Sequence, residues 1–147
     1  MIHNIMFSVI TALFSLSFFA NTSFAGGNHS SNILGFKFSL NECELSYEIN
    51  NVPKIEKLTL QDHCQFHKDK NSNIRVEHIH GKQVILVERS VPHPKANADD
   101  FFKDKCETQL MGIVIDNGLV TVRKNKVKIL GCSGLMWDRK VFSSFAK

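Results

Sequence analysis

The stretch from Cys106 to Cys132, CETQLMGIVIDNGLVTVRKNKVKILGC, constrains the fold more than any other part of this chain. At its centre Asn117-Gly118 separates Val114-Ile115-Asp116 from Leu119-Val120-Thr121-Val122. A type I′ turn needs two residues at positive φ, and Asn-Gly supplies them at low cost, so the flanking β-branched runs are expected to form a hairpin. That register sets Ile115 opposite Val120 and Ile113 opposite Val122. Reading Asn125-Lys126 as a second loop extends the hairpin to a three-stranded meander. Val122 then faces Ile129, and Ile113, Ile115, Val120, Val122, Val127 and Ile129 share one face. The same register puts Cys132 level with Leu119 and Cys106 some ten residues further along, on the order of 30 Å away. A disulfide tolerates about 7 Å between Cα atoms, so a Cys106–Cys132 bridge is expected only if Cys106 leaves its strand and folds back.

Whether the cysteines pair at all depends on the compartment, and the start of the chain speaks to that. No charge occurs between Ile5 and Ala20, where Phe7, Val9, Ile10, Leu13, Phe14, Leu16, Phe18 and Phe19 form an apolar run. Small residues at Ser23 and Ala25 follow, so residues 1–25 read as a signal peptide cleaved after Ala25, although His3 stands where Lys or Arg is usual. The run is shorter than the ~20 apolar residues of a membrane span, and no retained span is expected. No cysteine lies near the cleavage point to carry a lipid. The mature chain, 26–147, is thus expected to be secreted or periplasmic, with all four cysteines and the full net charge of +4. In that setting Cys43, Cys64, Cys106 and Cys132 read as two disulfides, each stabilising the fold by about 2–4 kcal/mol. All three connectivities are open.

The rest of the chain reads as further β-structure. Residues 26–32, GGNHSSN, are small and polar and suggest a flexible start. Leu34, Phe36, Phe38 and Leu40 alternate with polar residues, as do Leu45, Tyr47 and Ile49, which predicts two half-buried strands joined near Asn41–Cys43. Asn50-Asn51-Val52-Pro53 reads as a turn, and Ile55, Leu58 and Leu60 open a third apolar segment. A second hairpin is expected over Ile74–Ser90 with Gly81-Lys82 as its turn, Arg75 opposite Glu88, and Val76 and His78 on the face of Ile85 and Val87. Apolar residues on both faces imply that it is covered on both sides. Val91-Pro92-His93-Pro94 leaves the sheet, because proline removes a donor and fixes an extended path. Asn97 is placed to cap a short helix to Phe102, and Asp138 a terminal helix carrying Val141, Phe142 and Phe145 on one stripe. The fold class expected is mainly β: one small disulfide-linked sandwich or partly open barrel over residues 26–147, of six to eight strands, with one or two short helices including a C-terminal one.

Chemistry is harder to find. His78 and His80 stand two apart on a predicted strand and His63 and His67 lie upstream, a set that would offer imidazoles to zinc or copper. Gly131-Cys132-Ser133-Gly134 resembles a nucleophile elbow, but Leu135 stands where that pattern requires glycine. Residues 26–100 hold nine basic and ten acidic side chains, and residues 101–147 hold nine and four. The C-terminal excess, with Arg123, Lys124, Lys126, Lys128, Arg139 and Lys140, offers a surface for an acidic protein or an anionic envelope component. Nucleic acid is not expected, since exposed aromatics are not interleaved with these charges. The loop Val91–Ala98, with Pro92, His93, Pro94 and Lys95, is a second candidate surface, because a proline-fixed loop loses little entropy on binding. The reading that follows is an exported, non-enzymatic binding protein of the inhibitor, immunity or adaptor kind; the alternative is a histidine-based metal-binding protein of the envelope.

Overall fold

The computed structural model describes residues 29–33 and 35–147; the expected leader lies outside them. Strands β1 (His29–Ile33), β2 (Phe36–Asn41), β3 (Glu44–Ile49) and β4 (Val52–Lys57) form an antiparallel meander in chain order. Residues 29–32, expected to belong to a flexible start, are therefore paired, with His29 opposite Leu40 and Asn32 opposite Lys37. The turns at Glu42-Cys43 and Asn50-Asn51 both hold two residues at positive φ, the I′ geometry that suits a two-residue hairpin. Only Asn50-Asn51 turns. Val52 and Pro53, expected in the turn, begin β4, where the missing proline N–H is tolerated because β4 is an edge strand. Phe38, Leu40, Leu45 and Tyr47 are buried on one side of this sheet, as their alternation predicts.

The second sheet is built on β7 (Lys82–Pro92) and β8 (Cys106–Asp116), paired along ten residues each, Gln83 opposite Ile115 to Pro92 opposite Cys106. On the outer edge of β7 lie β5 (Gln65–Phe66) and β6 (Val76–Ile79); on that of β8 lie β9 (Leu119–Val122) and β10 (Val127–Leu130). Each pair is one row broken by an excursion, residues 68–74 in the first and 123–126 in the second. The ten segments thus make eight rows.

The hairpin at Asn117-Gly118 has the expected register, with φ of 48° and 79° at the two turn residues. The expected second loop does not form. No residue from 123 to 126 has positive φ, so the chain bulges past Gly112 and Met111 and rejoins the same neighbour, Val127 opposite Leu110 and Leu130 opposite Glu107. Two consequences follow. Val127 and Ile129 pack on the opposite face from Ile113 and Ile115, and Cys132 is delivered to Cys106. The Cα atoms of these cysteines are 4.7 Å apart, and the Gly131 N–H donates to the Cys106 carbonyl at 2.8 Å. The bridge forms with Cys106 as the first residue of β8. Cys43 pairs with Cys64.

The other expected hairpin turns at His80-Gly81, both at positive φ, with Ile79 opposite Lys82. Two residues separate this from the expected register, so Val76 keeps its face with Ile85 and Val87. Arg75 loses its expected partner: it pairs with Glu77 at 2.6 Å.

The second sheet is buried on both faces. Inward, Phe66, Ile85, Val87, Met111, Ile113 and Ile115 pack against Phe38, Leu40, Leu45 and Tyr47 of the first sheet. Outward, Ile79, Val84, Leu86, Leu110 and Val114 are covered by the C-terminal segment, through Trp137, Phe142 and Phe145. Each such side chain stabilises the fold by roughly 1.5–3 kcal/mol when fully buried. Within that segment α1 (Arg139–Ser143) starts at Asp138, whose side chain accepts the Lys140 N–H at 3.0 Å, the cap expected. The other short helix is a 3₁₀ turn, Asp100–Phe102, capped by Asp99 rather than Asn97.

Candidate functional site

The outer face carries the charged residue that the sequence gives least reason to expect inside. Glu88 lies in the strand run VILVERSV and is 2% exposed. Its Oε1 accepts from Gln65 Nε2 at 3.1 Å; its Oε2 accepts from His67 Nδ1 at 3.1 Å and from Trp137 Nε1 at 2.9 Å. Burial pushes the Glu88 carboxyl up, but the donors from His67, Trp137 and Gln65 outweigh it and hold the group below its ordinary value. An ionised carboxylate only accepts, so His67 carries its proton on Nδ1. Among the described residues Nε2 of His67 has no partner, and the His67 ring lies beside those of Trp137 and Phe142, with centroids 6.2 and 6.0 Å apart. His67 is fully buried beside these rings, and Glu88 is 2% exposed. Its action is to join β5, β7 and Trp137.

Basic side chains complete the attachment. Arg75 donates to the Trp137 carbonyl at 2.8 Å and lies over the Phe142 ring at 4.8 Å. Arg123 donates to the carbonyls of Phe145, at 2.9 Å, and Lys147; Lys82 donates to that of Ala146 at 3.1 Å.

Between Cys132, fixed by its disulfide, and Trp137, fixed by Glu88, the chain makes a short tongue. Its turn is Ser133-Gly134, with Gly134 at φ 85°. Leu135 and Met136 at its tip are 51% and 58% exposed, and Leu130 beside it is 52% exposed. Val52, Ile55, Phe101 and Leu119 are the other large apolar side chains exposed among the described residues; Leu130, Leu135 and Met136 lie within seven residues of one another. A hollow lies on each side of the tongue. One, of about 350 Å³, is lined by Asp104, Lys105, Cys106, Leu130, Cys132 and Leu135. The other, of about 440 Å³, runs under Met136, Ser133 and Gly134 to Gln65, Glu88, Lys68 and Lys70.

The loop expected to bind borders this surface. Val91 and Pro92, expected to leave the sheet, stay in the β7–β8 ladder opposite Glu107 and Cys106, where proline ends the strand, and the His93 N–H donates to the Lys105 carbonyl at 2.8 Å. The His93 ring stacks on Phe102 at 3.9 Å, and its Nδ1 accepts the Lys95 N–H at 3.2 Å. Pro94 and Lys95 are exposed at the turn. The basic row is placed differently from expectation. Arg123 holds the C-terminal segment, Lys126 donates to the Thr59 carbonyl at 3.2 Å, Lys128 pairs with Glu107 at 3.2 Å, Arg139 donates to the His78 carbonyl, and Lys124 and Lys140 are exposed. Of the six, only Lys128 meets a carboxylate among the described residues.

The four candidate metal ligands are not brought together. His67 is buried in the Glu88 network, whereas His63, His78 and His80 are exposed. Among the described residues no group of three His, Cys, Asp or Glu side chains is placed to hold a metal ion. Sequence reasoning pairs Glu88 with Arg75, reads Ser133-Gly134 as a turn and expects Leu135-Met136-Trp137 to pack on the sheet; of these three only Trp137 does, and Lys68 and Lys70 are given no part. The signal for a buried Glu88 was present: a glutamate after four consecutive apolar strand residues is a buried charge in search of donors, and Trp137 is the only tryptophan. No family model matches this chain, nor does any curated protein or solved structure.

Proposed function

We propose that this chain is an exported, non-enzymatic binding protein that grips another secreted or envelope protein through the Cys132–Trp137 tongue and the adjoining loop at Pro92–Lys95. The observation that carries the reading is the pinned exposure of Leu130, Leu135 and Met136. Binding energy at protein interfaces concentrates in a few side chains held in place beforehand, because little freedom is then lost on association. Two disulfides support an oxidising compartment, in keeping with the reading of residues 1–25 as a leader.

The test is cross-linking of the chain, expressed with its leader in its own host, against the variant Leu135→Asp/Met136→Asp. A stoichiometric complex that the double variant loses, while circular dichroism and Trp137 fluorescence stay unchanged, is the expected result. Recovery of a lone monomer from both chains, or an undiminished complex in the variant, overturns the proposal.

A further inference from the structure

We propose that β4 is a pairing edge for a second copy of this chain, the two β4 strands running antiparallel about a two-fold axis at Ile55. β4 is the outermost strand of the first sheet, and every residue in it except Glu56 is exposed. Ile55, at 66%, is the most exposed large apolar side chain among the described residues. In an antiparallel ladder alternate residues bond to the neighbouring strand. The Asn50-Asn51 turn closes on Ile49 and Val52, so Val52, Lys54 and Glu56 bond to β3. Leu58, just past the strand, keeps that phase, its N–H donating to the Cys43 carbonyl at 2.8 Å. Pro53, Ile55 and Lys57 therefore turn their backbone groups outward, and no other strand of the described residues pairs with them.

Charge and proline usually blunt such an edge. Here they select one pairing. A two-fold axis at Lys54 sets that lysine against its counterpart, and an axis at Glu56 does the same for two glutamates. An axis at Pro53 brings together two residues without donors, and one at Lys57 two lysines. Only an axis at Ile55 avoids all four conflicts. Ile55 then exchanges both backbone bonds with its counterpart, each Lys57 N–H reaches a Pro53 carbonyl, and proline falls at the ends of the ladder, where its missing donor interrupts nothing. Each Lys54 lies opposite a Glu56 in a non-hydrogen-bonded pair, the position at which facing side chains come closest. Both are available: among the described residues neither enters an ion pair, and Glu56 accepts from the Tyr47 hydroxyl through Oε1 only. The first sheets of the two copies thereby join edge to edge, in the isologous arrangement usual for a closed dimer. An interface of so few bonds is small and dissociates on dilution.

The test is sedimentation equilibrium of the chain, expressed with its leader and purified, over a range of concentrations, with circular dichroism to show that each variant is folded. The expected result is a monomer–dimer equilibrium weakened by added salt. Lys54→Glu and Glu56→Lys each set like charges opposite one another, and each should weaken dimerisation at least tenfold. Mixed in equal amounts, the two variants place glutamates against lysines at both positions, so the mixture should dimerise as the original chain does. β4 lies in the first sheet and the tongue on the outer face of the second, so Leu135→Asp/Met136→Asp should leave the equilibrium unchanged. A monomer at every concentration, a dimer indifferent to the charge substitutions, a mixture that fails to recover, growth beyond a dimer, or dimerisation lost with the tongue variant overturns the inference.

Discussion

The two faces of the second sheet are buried by different means. Inward, sheet packs on sheet, and the layer from Phe38 to Ile113 is apolar apart from its rim. Outward, eleven residues from Trp137 to Lys147 must cover Val84, Leu86, Leu110 and Val114 with only a few large side chains. A strip so short supplies little apolar area, and here it is joined to the sheet by directed bonds: Trp137 to Glu88, and the backbone carbonyls of 137, 145, 146 and 147 to Arg75, Arg123 and Lys82. The comparison teaches that a surface too small to hold itself by apolar contact is held by a buried charge with every acceptor occupied. Losing one donor or acceptor there costs more than losing a methyl group on the other face.

That contrast is open to direct attack. The largest effect is expected from Glu88→Ala, which leaves the donors of His67, Gln65 and Trp137 unmatched in the interior. Denaturant unfolding should show a loss of about 3–5 kcal/mol, with Trp137 emission shifted toward that of a solvated indole. A loss comparable to a surface substitution would break the comparison. Next comes Gly112→Ala. A Cβ at Gly112 would lie 2.5 Å from the Phe145 Cβ, so the added methyl must displace the strip. Overpacking of this kind costs roughly 1–3 kcal/mol, whereas Ile113→Val, the neighbouring residue on the inward face, should cost about 0.5–1.5 kcal/mol; thermal unfolding of the pair measures both. The smallest effect concerns the rim of the inward face. Burial, aided by the hydrogen bond from Tyr47 to Glu56, pushes the Tyr47 hydroxyl up to about 12. Because the folded value lies above the unfolded one, the stability from this group is present below pH ~10 and is lost as pH rises toward the folded value. Tyr47 is the only tyrosine, so its ultraviolet titration should have a midpoint near 12, and a midpoint near 10 would place the ring in water.

How much of this was legible beforehand follows from how local each signal is. The Asn117-Gly118 hairpin, the alternation in β2 and β3, the Asp138 cap and the apolar stripe of α1 all lie within a few adjacent residues, and they read correctly. The turn at 80–81 lies one residue before the expected 81–82, which moves the cross-strand register by two, because His80 rather than Lys82 joins Gly81 at positive φ. Asn125-Lys126 reads as a reversal, yet the favoured two-residue hairpin turns need positive φ at the first position or at both, and the chain has neither. That one difference decided both the face of Val127 and Ile129 and the route by which Cys132 reaches Cys106. The candidate surface was legible only at Pro92–Lys95. Its other parts come from residues 65–72, Glu88 and 130–137, which topology alone assembles, so no spacing in the sequence announces them.

The 68–74 excursion departs from β7 and returns to it, with Phe66 opposite Val87 before and Val76 opposite Ile85 after. Inserting residues at its tip alters neither pairing, and doubling a flexible loop costs only about 0.6 kcal/mol in closure entropy. The segment carrying Lys68 and Lys70 is thus modular: its length and charge can change while the strand pairing beneath stays as it is.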